Sequence, residues 1–176
     1  MQLPPVDYTD VLAKFYPTVQ YHCVGNFPVN YTDIDFEFEQ PTEVDLQNKL
    51  LFIYQEKLSL QIRREAETAR KFFLGMVLGT QDPEQIRSYE VKYGEATQYL
   101  IDNGTVTPQL TAEATETGEN VATLAALVVA QYDAAMAALR PLYGAVDGKR
   151  RKALYSIENA TNVADLANIP TVEWGY

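Results

Sequence analysis

The hydrophobic pattern changes period near residue 42. Before that point apolar residues alternate with polar ones: in residues 29–39 (VNYTDIDFEFE) Ile34, Phe36 and Phe38 interleave with Asp33, Asp35, Glu37 and Glu39. Period two places one set on each face of a strand, so this run predicts a strand with one apolar and one acidic face. Residues 18–24 (TVQYHCV) are also rich in β-branched and aromatic side chains, and Gly25, Asn26 and Pro28 punctuate the gap. The pair predicts a β-hairpin. Beyond Pro41 and Thr42 the spacing becomes three and four. Leu51, Tyr54, Leu58, Ile62, Glu65, Ala69, Phe72 and Met76 form one helical stripe with a single charged break, and no Gly or Pro appears until Gly75. Thr42 is the expected N-cap, with Glu43 and Asp45 in the first turn where the helix dipole favours acids.

The rest of the chain predicts helices. Asp82-Pro83 opens one that Asn103-Gly104 closes, and Thr107-Pro108 opens a short one. Thr117 or Gly118 opens a longer Ala-rich helix through Leu124, Leu127, Leu139 and Leu142, which Pro141 is expected to kink or interrupt. Ala153, Leu154 and Ile157 then belong to a further helix, and Asn162 caps a final short one. The fold class expected is α+β, helix-dominated: an N-terminal β-hairpin lobe (residues 1–42), a long connecting amphipathic helix (43–80) and a C-terminal helical bundle (81–176). A helix of more than thirty residues is too long for one small lobe to cover. Its stripe therefore predicts a partner-docking or oligomerisation seam made by Leu51, Leu58, Ile62, Phe72, Phe73 and Met76. On that expectation, Leu58→Asp with Ile62→Asp abolishes assembly and leaves the C-terminal bundle helical.

Charge narrows the classes of partner. The net charge is −10, spread unevenly: residues 1–45 hold eight acids and one Lys, residues 46–80 six bases and three acids, residues 81–120 eight acids and two bases, and residues 121–176 five of each. Acidic surface opposes phosphate contact, so no nucleic-acid role is expected. The basic middle suits an acidic neighbour, another copy's front end included. Lys149, Arg150, Arg151 and Lys152 are adjacent on a helix and point around most of its circumference, so they cannot line one groove. Salt bridges to the acidic segments are their expected use.

Chemistry is sparse. Cys23 is the sole cysteine and His22 the sole histidine, which rules out an internal disulfide, a thiolate zinc site within one chain and the usual His-based triads. Asp33, Asp35, Glu37 and Glu39 lie along a strand with no Gly-hinged loop to gather them round calcium, so a solvated face that blocks edge pairing is expected. An enzyme built on this chain would need carboxylates alone, Asp33 with Glu37 or Glu90 with Glu95. No P-loop, GxGxxG, HExxH or GxSxG occurs, and neither cofactor nor metal is expected. Asn30, Asn103 and Asn159 stand in N-x-Thr triplets, which matter only for a secreted chain. No run of about eighteen uninterrupted apolar residues is present and MQLPPVDYTD lacks signal-peptide features, so no membrane is expected.

The hairpin whose second strand ends in QPTEVDLQNKL and runs into a long helix is similar to small tail-fibre-associated and tail-fibre-assembly proteins of tailed bacteriophages. There an acidic β element ending in P-T-E-x-x-L leads into such a helix. The segments KYGEATQYLIDNG, LTAEATETGENVATLAALVVAQYDA and GKRRKALYSIENATNVADLANI resemble an Ala-rich module at the C-terminal end of the same class. Together these resemblances span roughly residues 15–169. Pro141 and the closing EWGY with Trp174 depart from the pattern. The resemblance implies a non-enzymatic protein that binds, joins or helps assemble a receptor-binding tail fibre, as virion component or assembly chaperone. Its implied partner is a tail-fibre or baseplate protein, its state a homo- or hetero-oligomer, and its place the host cytoplasm during assembly and then the virion tail. The alternative from the residues alone is a cytoplasmic helical adaptor unrelated to phage tails.

Overall fold

Asp7 organises the front of the chain, which begins with a helix that the strand-centred reading above did not anticipate. Its side chain accepts from the Thr9 amide at 2.9 Å and the Thr9 hydroxyl at 2.6 Å, while Asp10 accepts from the Asp7 amide at 3.0 Å. This reciprocal capping starts α1 (Tyr8–Phe15), whose Val11 and Leu12 are fully buried. The signal was present in the sequence as the Asp7/Asp10 spacing ahead of Val11, Leu12 and Phe15.

The computed structural model describes residues 2–23, 28–37 and 41–176. The hairpin is there, antiparallel and shorter than the pattern predicted: β1 (Tyr21–Cys23) pairs with β2 (Ile34–Phe36) in the register Tyr21↔Phe36, His22↔Asp35, Cys23↔Ile34. Gly25 and Asn26 of the expected turn, and Phe38 and Glu39 of the expected second strand, lie outside the described residues. A short 3₁₀ turn (Tyr31–Asp33) precedes β2, and Asp33 accepts there from the Asn30 amide at 3.0 Å. Asp33 is thus a turn residue, not part of an acidic strand face. Ile34 is buried while Asp35 and Glu37 are exposed, so the alternation holds where β2 begins.

Thr42 caps the long helix as expected, its hydroxyl accepting from the Asp45 amide at 3.1 Å. From there α2 runs unbroken over Glu43–Leu78, 36 residues, and Gly79 ends it with φ of +71°, the left-handed conformation that glycine adopts without a Cβ clash. Asp82 caps α3 (Pro83–Ile101) by accepting from the Glu84 amide at 3.0 Å, with Pro83 at the first helical position. After it come α4 (Pro108–Thr117), α5 (Val121–Glu158) and α6 (Val163–Ala167), the last capped by Asn162. The protein is α+β and helix-dominated, with one small N-terminal antiparallel sheet and a helical remainder.

Two details depart from expectation. The cap of α5 is Asn120, which accepts from the Ala122 amide at 2.9 Å, in place of Thr117 or Gly118; those end α4, with Gly118 left-handed. Pro141 does not interrupt α5, which continues through it to Glu158, so Ala153, Leu154 and Ile157 belong to the same helix. An internal proline removes one amide and crowds the preceding turn, at a cost of ~3 kcal/mol. The helix is held on both sides of that fault by buried Leu139 and Val146.

By contact the chain falls into two compact units: Met1–Ala66 with Asp147–Gly175, and Glu67–Val146 with Tyr176. The expected segment ends at 42 and 80 coincide with the start of α2 and the gap before α3, whereas the units divide within α2 and α5. In the first unit Leu12, Leu46, Leu58, Ile62, Ile157 and Leu166 are fully buried. Three side chains fasten its parts: Tyr54 donates its hydroxyl to the Val6 carbonyl at 2.8 Å, Gln55 donates to the Ile157 and Ala160 carbonyls at 3.0 and 3.2 Å, and Trp174 donates its Nε1–H to Glu65 at 3.0 Å. Glu65, the one charged break in the α2 stripe, is therefore the acceptor that a buried indole needs. In the second unit Ala96, Leu110, Ala114, Leu124 and Ala125 form the core, bringing α3, α4 and α5 together. Glu95 on α3 caps α4, accepting from the Gln109 and Leu110 amides at 3.3 and 2.8 Å. Thr107, at the N-cap position of α4, makes no side-chain cap bond.

Asp7 also accepts from the Val29 amide at 2.9 Å, which ties α1 to the hairpin. Burial opposes its ionisation, but the Thr9 hydroxyl and the Val29 and Thr9 amides outweigh it and hold the carboxyl below its ordinary value. A depressed folded value contributes stability that is present above the unfolded value of ~3.9 and lost as pH falls through the folded one. Asp7→Ala, which orphans the Val29 amide, is expected to lower stability by ~2 kcal/mol and to weaken the acid dependence of unfolding by denaturant. Trp174 is the only tryptophan, so its emission reports the first unit directly. Glu65→Ala is expected to shift that emission to the red and to cost ~1–3 kcal/mol. Glu95→Ala should cost ~1 kcal/mol and speed hydrogen exchange at the Gln109 and Leu110 amides.

Candidate functional site

The stripe of α2 changes character along its length, and this decides what its residues can do. Leu58 and Ile62 are fully buried in the first unit, and Leu51 is half-buried there. In the second unit Ala69 and Phe73 are buried, but Phe72 is 40% and Met76 58% exposed. The six expected docking residues are therefore not brought together on one open face. Leu58, Ile62 and Phe73 are core, and only Phe72 and Met76 present the stripe to solvent.

Phe72 sits in an aromatic group, its ring 5.6 Å from that of Phe73 and 5.2 Å from that of Tyr176. Phe73 is the buried anchor and Phe72 the exposed outer ring, a contact geometry in which a rigid aromatic offers area at small entropic cost. Met76, one turn on, adds a flexible thioether that adapts to an irregular partner.

The second unit also carries an open groove of about 380 Å³. Val77 and Leu78 of α2, Tyr89 and Lys92 of α3, Glu113 of α4 and Leu127, Val128 and Tyr132 of α5 line it. Lys92 and Glu113 form an ion pair across α3 and α4. Tyr132 stacks on Tyr93 with ring centroids 4.2 Å apart, and the Tyr93 hydroxyl donates to Asp133 at 3.1 Å. Burial, then the Glu90 carboxylate, pushes the Tyr132 phenol above its ordinary value, so it stays neutral in neutral solution. The groove therefore offers apolar walls, tyrosine hydroxyls and one compensated ion pair. Sequence reasoning missed it because Tyr93 and Tyr132 are 39 residues apart, and no local pattern marks two such rings as partners.

On the first unit a second exposed aromatic cluster joins α1 to α2. Phe15 and Phe52 meet edge to face at 5.9 Å, Lys49 lies 4.9 Å from the Phe15 ring, and Lys14 pairs with Glu56 over the Phe52 ring. The basic middle of the chain is thus partly used within its own fold. In the Lys149–Lys152 run, Lys149 donates to the Glu173 carbonyl and Arg150 pairs with Asp147 at 3.3 Å, a local contact and not one to a distant acidic segment.

One member of each carboxylate pair considered for catalysis serves the fold. Asp33 holds the Asn30 amide, and both oxygens of Glu95 are taken by the start of α4. His22 and Cys23 sit on adjacent β1 positions, His22 exposed and Cys23 half-buried, with burial raising the Cys23 thiol above its ordinary value. Among the described residues no group of three or more His, Cys, Asp and Glu stands where it could hold a metal ion. Among the described residues one helix, α5, is long and apolar enough by length and composition to cross a membrane, and 11% of its most apolar stretch is buried. No protein-family model, curated protein or solved structure matches the chain.

Burial gives the stripe a direct test. Leu58→Asp with Ile62→Asp inserts two carboxylates into the core of the first unit, and the expected outcome is loss of the cooperative Trp174 fluorescence transition, not a folded protein deficient in assembly.

Proposed function

We propose that this protein is a non-enzymatic accessory protein of a bacteriophage tail fibre, one that binds, joins or helps assemble the receptor-binding fibre. The reading rests on the similarity of the QPTEVDLQNKL junction and the Ala-rich C-terminal segments to that class. The observation that carries it is physical: a stripe that is core at Leu58 and Ile62 emerges as exposed Phe72 and Met76 in the second unit, which also carries an open groove lined in part by Tyr89 and Tyr132. Large apolar side chains held out by a buried anchor are what a docking partner covers. The mechanism is surface burial and geometry, with no bond made or broken. An apolar segment of the fibre chain lies against the second unit and is shielded from wrong pairing until its own partners arrive.

Co-expression with the neighbouring gene products of the source genome, followed by light scattering of the purified material, tests this. A defined complex with a fibre-like chain is the expected result, and Phe72→Asp with Met76→Asp should weaken it by tenfold or more, at ~1.4 kcal/mol per tenfold, without changing far-UV circular dichroism. Phe72 is 40% and Met76 58% exposed, and the buried Ala69 and Phe73 of the same helix are left in place. Co-expression that yields no such complex, or a complex indifferent to both substitutions, overturns the reading, and capture of a chain unrelated to fibres would favour the adaptor class instead.

A further inference from the structure

The most apolar stretch of α5 is mostly uncovered, and its exposed face has a pattern that neither the core nor the groove uses. Ala126, Ala130, Asp133, Ala137, Arg140 and Gly144 follow one another in alternating steps of four and three, and all six are exposed. At ~100° per residue they fall within an arc of about 80°, a single seam about 27 Å long at ~1.5 Å per residue. This is the spacing by which one helix lies along another. All six belong to the second unit.

We infer that this seam of α5 pairs with the same seam of a second copy, antiparallel, about a two-fold axis near Ala137. Charge selects that occupant. The seam carries two charges, Asp133 and Arg140, of opposite sign and symmetric about the point between residues 136 and 137. Antiparallel pairing of two identical seams sets Asp133 of each copy beside Arg140 of the other, twice over. Parallel pairing in register sets like beside like, which repels. Self-complementarity of this kind is what an isologous interface requires. Arg140 makes no ion pair among the described residues, and Asp133 is engaged only by the Tyr93 hydroxyl. Both remain available to a second copy.

Gly144 supports close approach. Glycine inside a helix is less favourable than alanine, yet nothing lies within 4 Å of the position a Cβ would take there. Among the described residues no contact uses the missing side chain. A second helix would, because a seam of Ala and Gly lets two backbones come near. Insertion of this face into a lipid bilayer is the competing use of an apolar helix. It would place Asp133 and Arg140 in hydrocarbon without a second copy to pair them, which is strongly unfavourable.

The test uses the full chain and charge reversal. In light scattering over a concentration series the wild type should approach twice its monomer mass. Asp133→Arg alone and Arg140→Asp alone should each abolish the increase, since each creates two like-charged pairs, and the double variant Asp133→Arg with Arg140→Asp should restore it. In a Cys23→Ser background, Ala137→Cys should crosslink to itself under mild oxidation, while Ala126→Cys, far from the axis, should not. A monomeric wild type across the series overturns the inference, as does a dimer indifferent to single reversals or one that Ala126→Cys crosslinks best. Flotation of the wild type with neutral phosphatidylcholine vesicles, unaffected by the reversals, would assign the face to lipid. None of these readouts depends on a fibre protein.

Discussion

A helix of 36 residues is about 54 Å long at ~1.5 Å per residue, and burying it is the constraint on which the rest of the structure depends. One core cannot cover that length in a chain of 176 residues. The outcome is division of the burial: Leu58 and Ile62 belong to one compact unit, Ala69 and Phe73 to another. Glu65, within the first unit, has a charge that would be costly in a dry stripe, and it accepts from Trp174, 109 residues away. The end of the chain is thereby fixed to the middle of its longest early helix.

Polar groups elsewhere do similar long-range work. Asp7 caps its own helix and holds the Val29 amide of the hairpin; Glu95 caps a helix other than its own; Gln55 satisfies two carbonyls at the end of α5. Each is a side chain on one element answering an unpaired backbone group on another. Such bonds add modestly to stability when made and cost more when one partner is lost, so they specify which elements meet. Apolar burial supplies most of the driving force, but it is tolerant of shape, and a core rich in alanine has little side-chain relief with which to fix register.

What is left outside these cores is the surface on which function depends. Phe72 and Met76 continue a buried stripe into solvent, the groove beside α3 and α5 is lined by tyrosines and aliphatic side chains, and α5 shows a narrow face of small residues with two opposed charges. None of these brings a nucleophile and a base together. They are surfaces of different grain: aromatic and flexible side chains on α2, small side chains with two opposite charges on α5.

The sequence by itself determined most of the elements. Period two marked β2, steps of three and four marked the helices from α2 onward, and Thr42, Asp82 and Asn162 stood at their starts, because caps and periodicity are local and depend on neighbours within a turn. Tertiary structure decided the rest. It made Leu58 and Ile62 core and left Phe72 and Met76 open, although all four occupy one stripe, because periodicity gives a face without saying what covers it. It carried α5 through Pro141, since the buried residues on either side outweigh a local fault. It also gave Glu65 to Trp174, Glu95 to α4 and Tyr93 to Tyr132. These are pairings across tens of residues, set by how the helices pack, and no single stretch of chain encodes them.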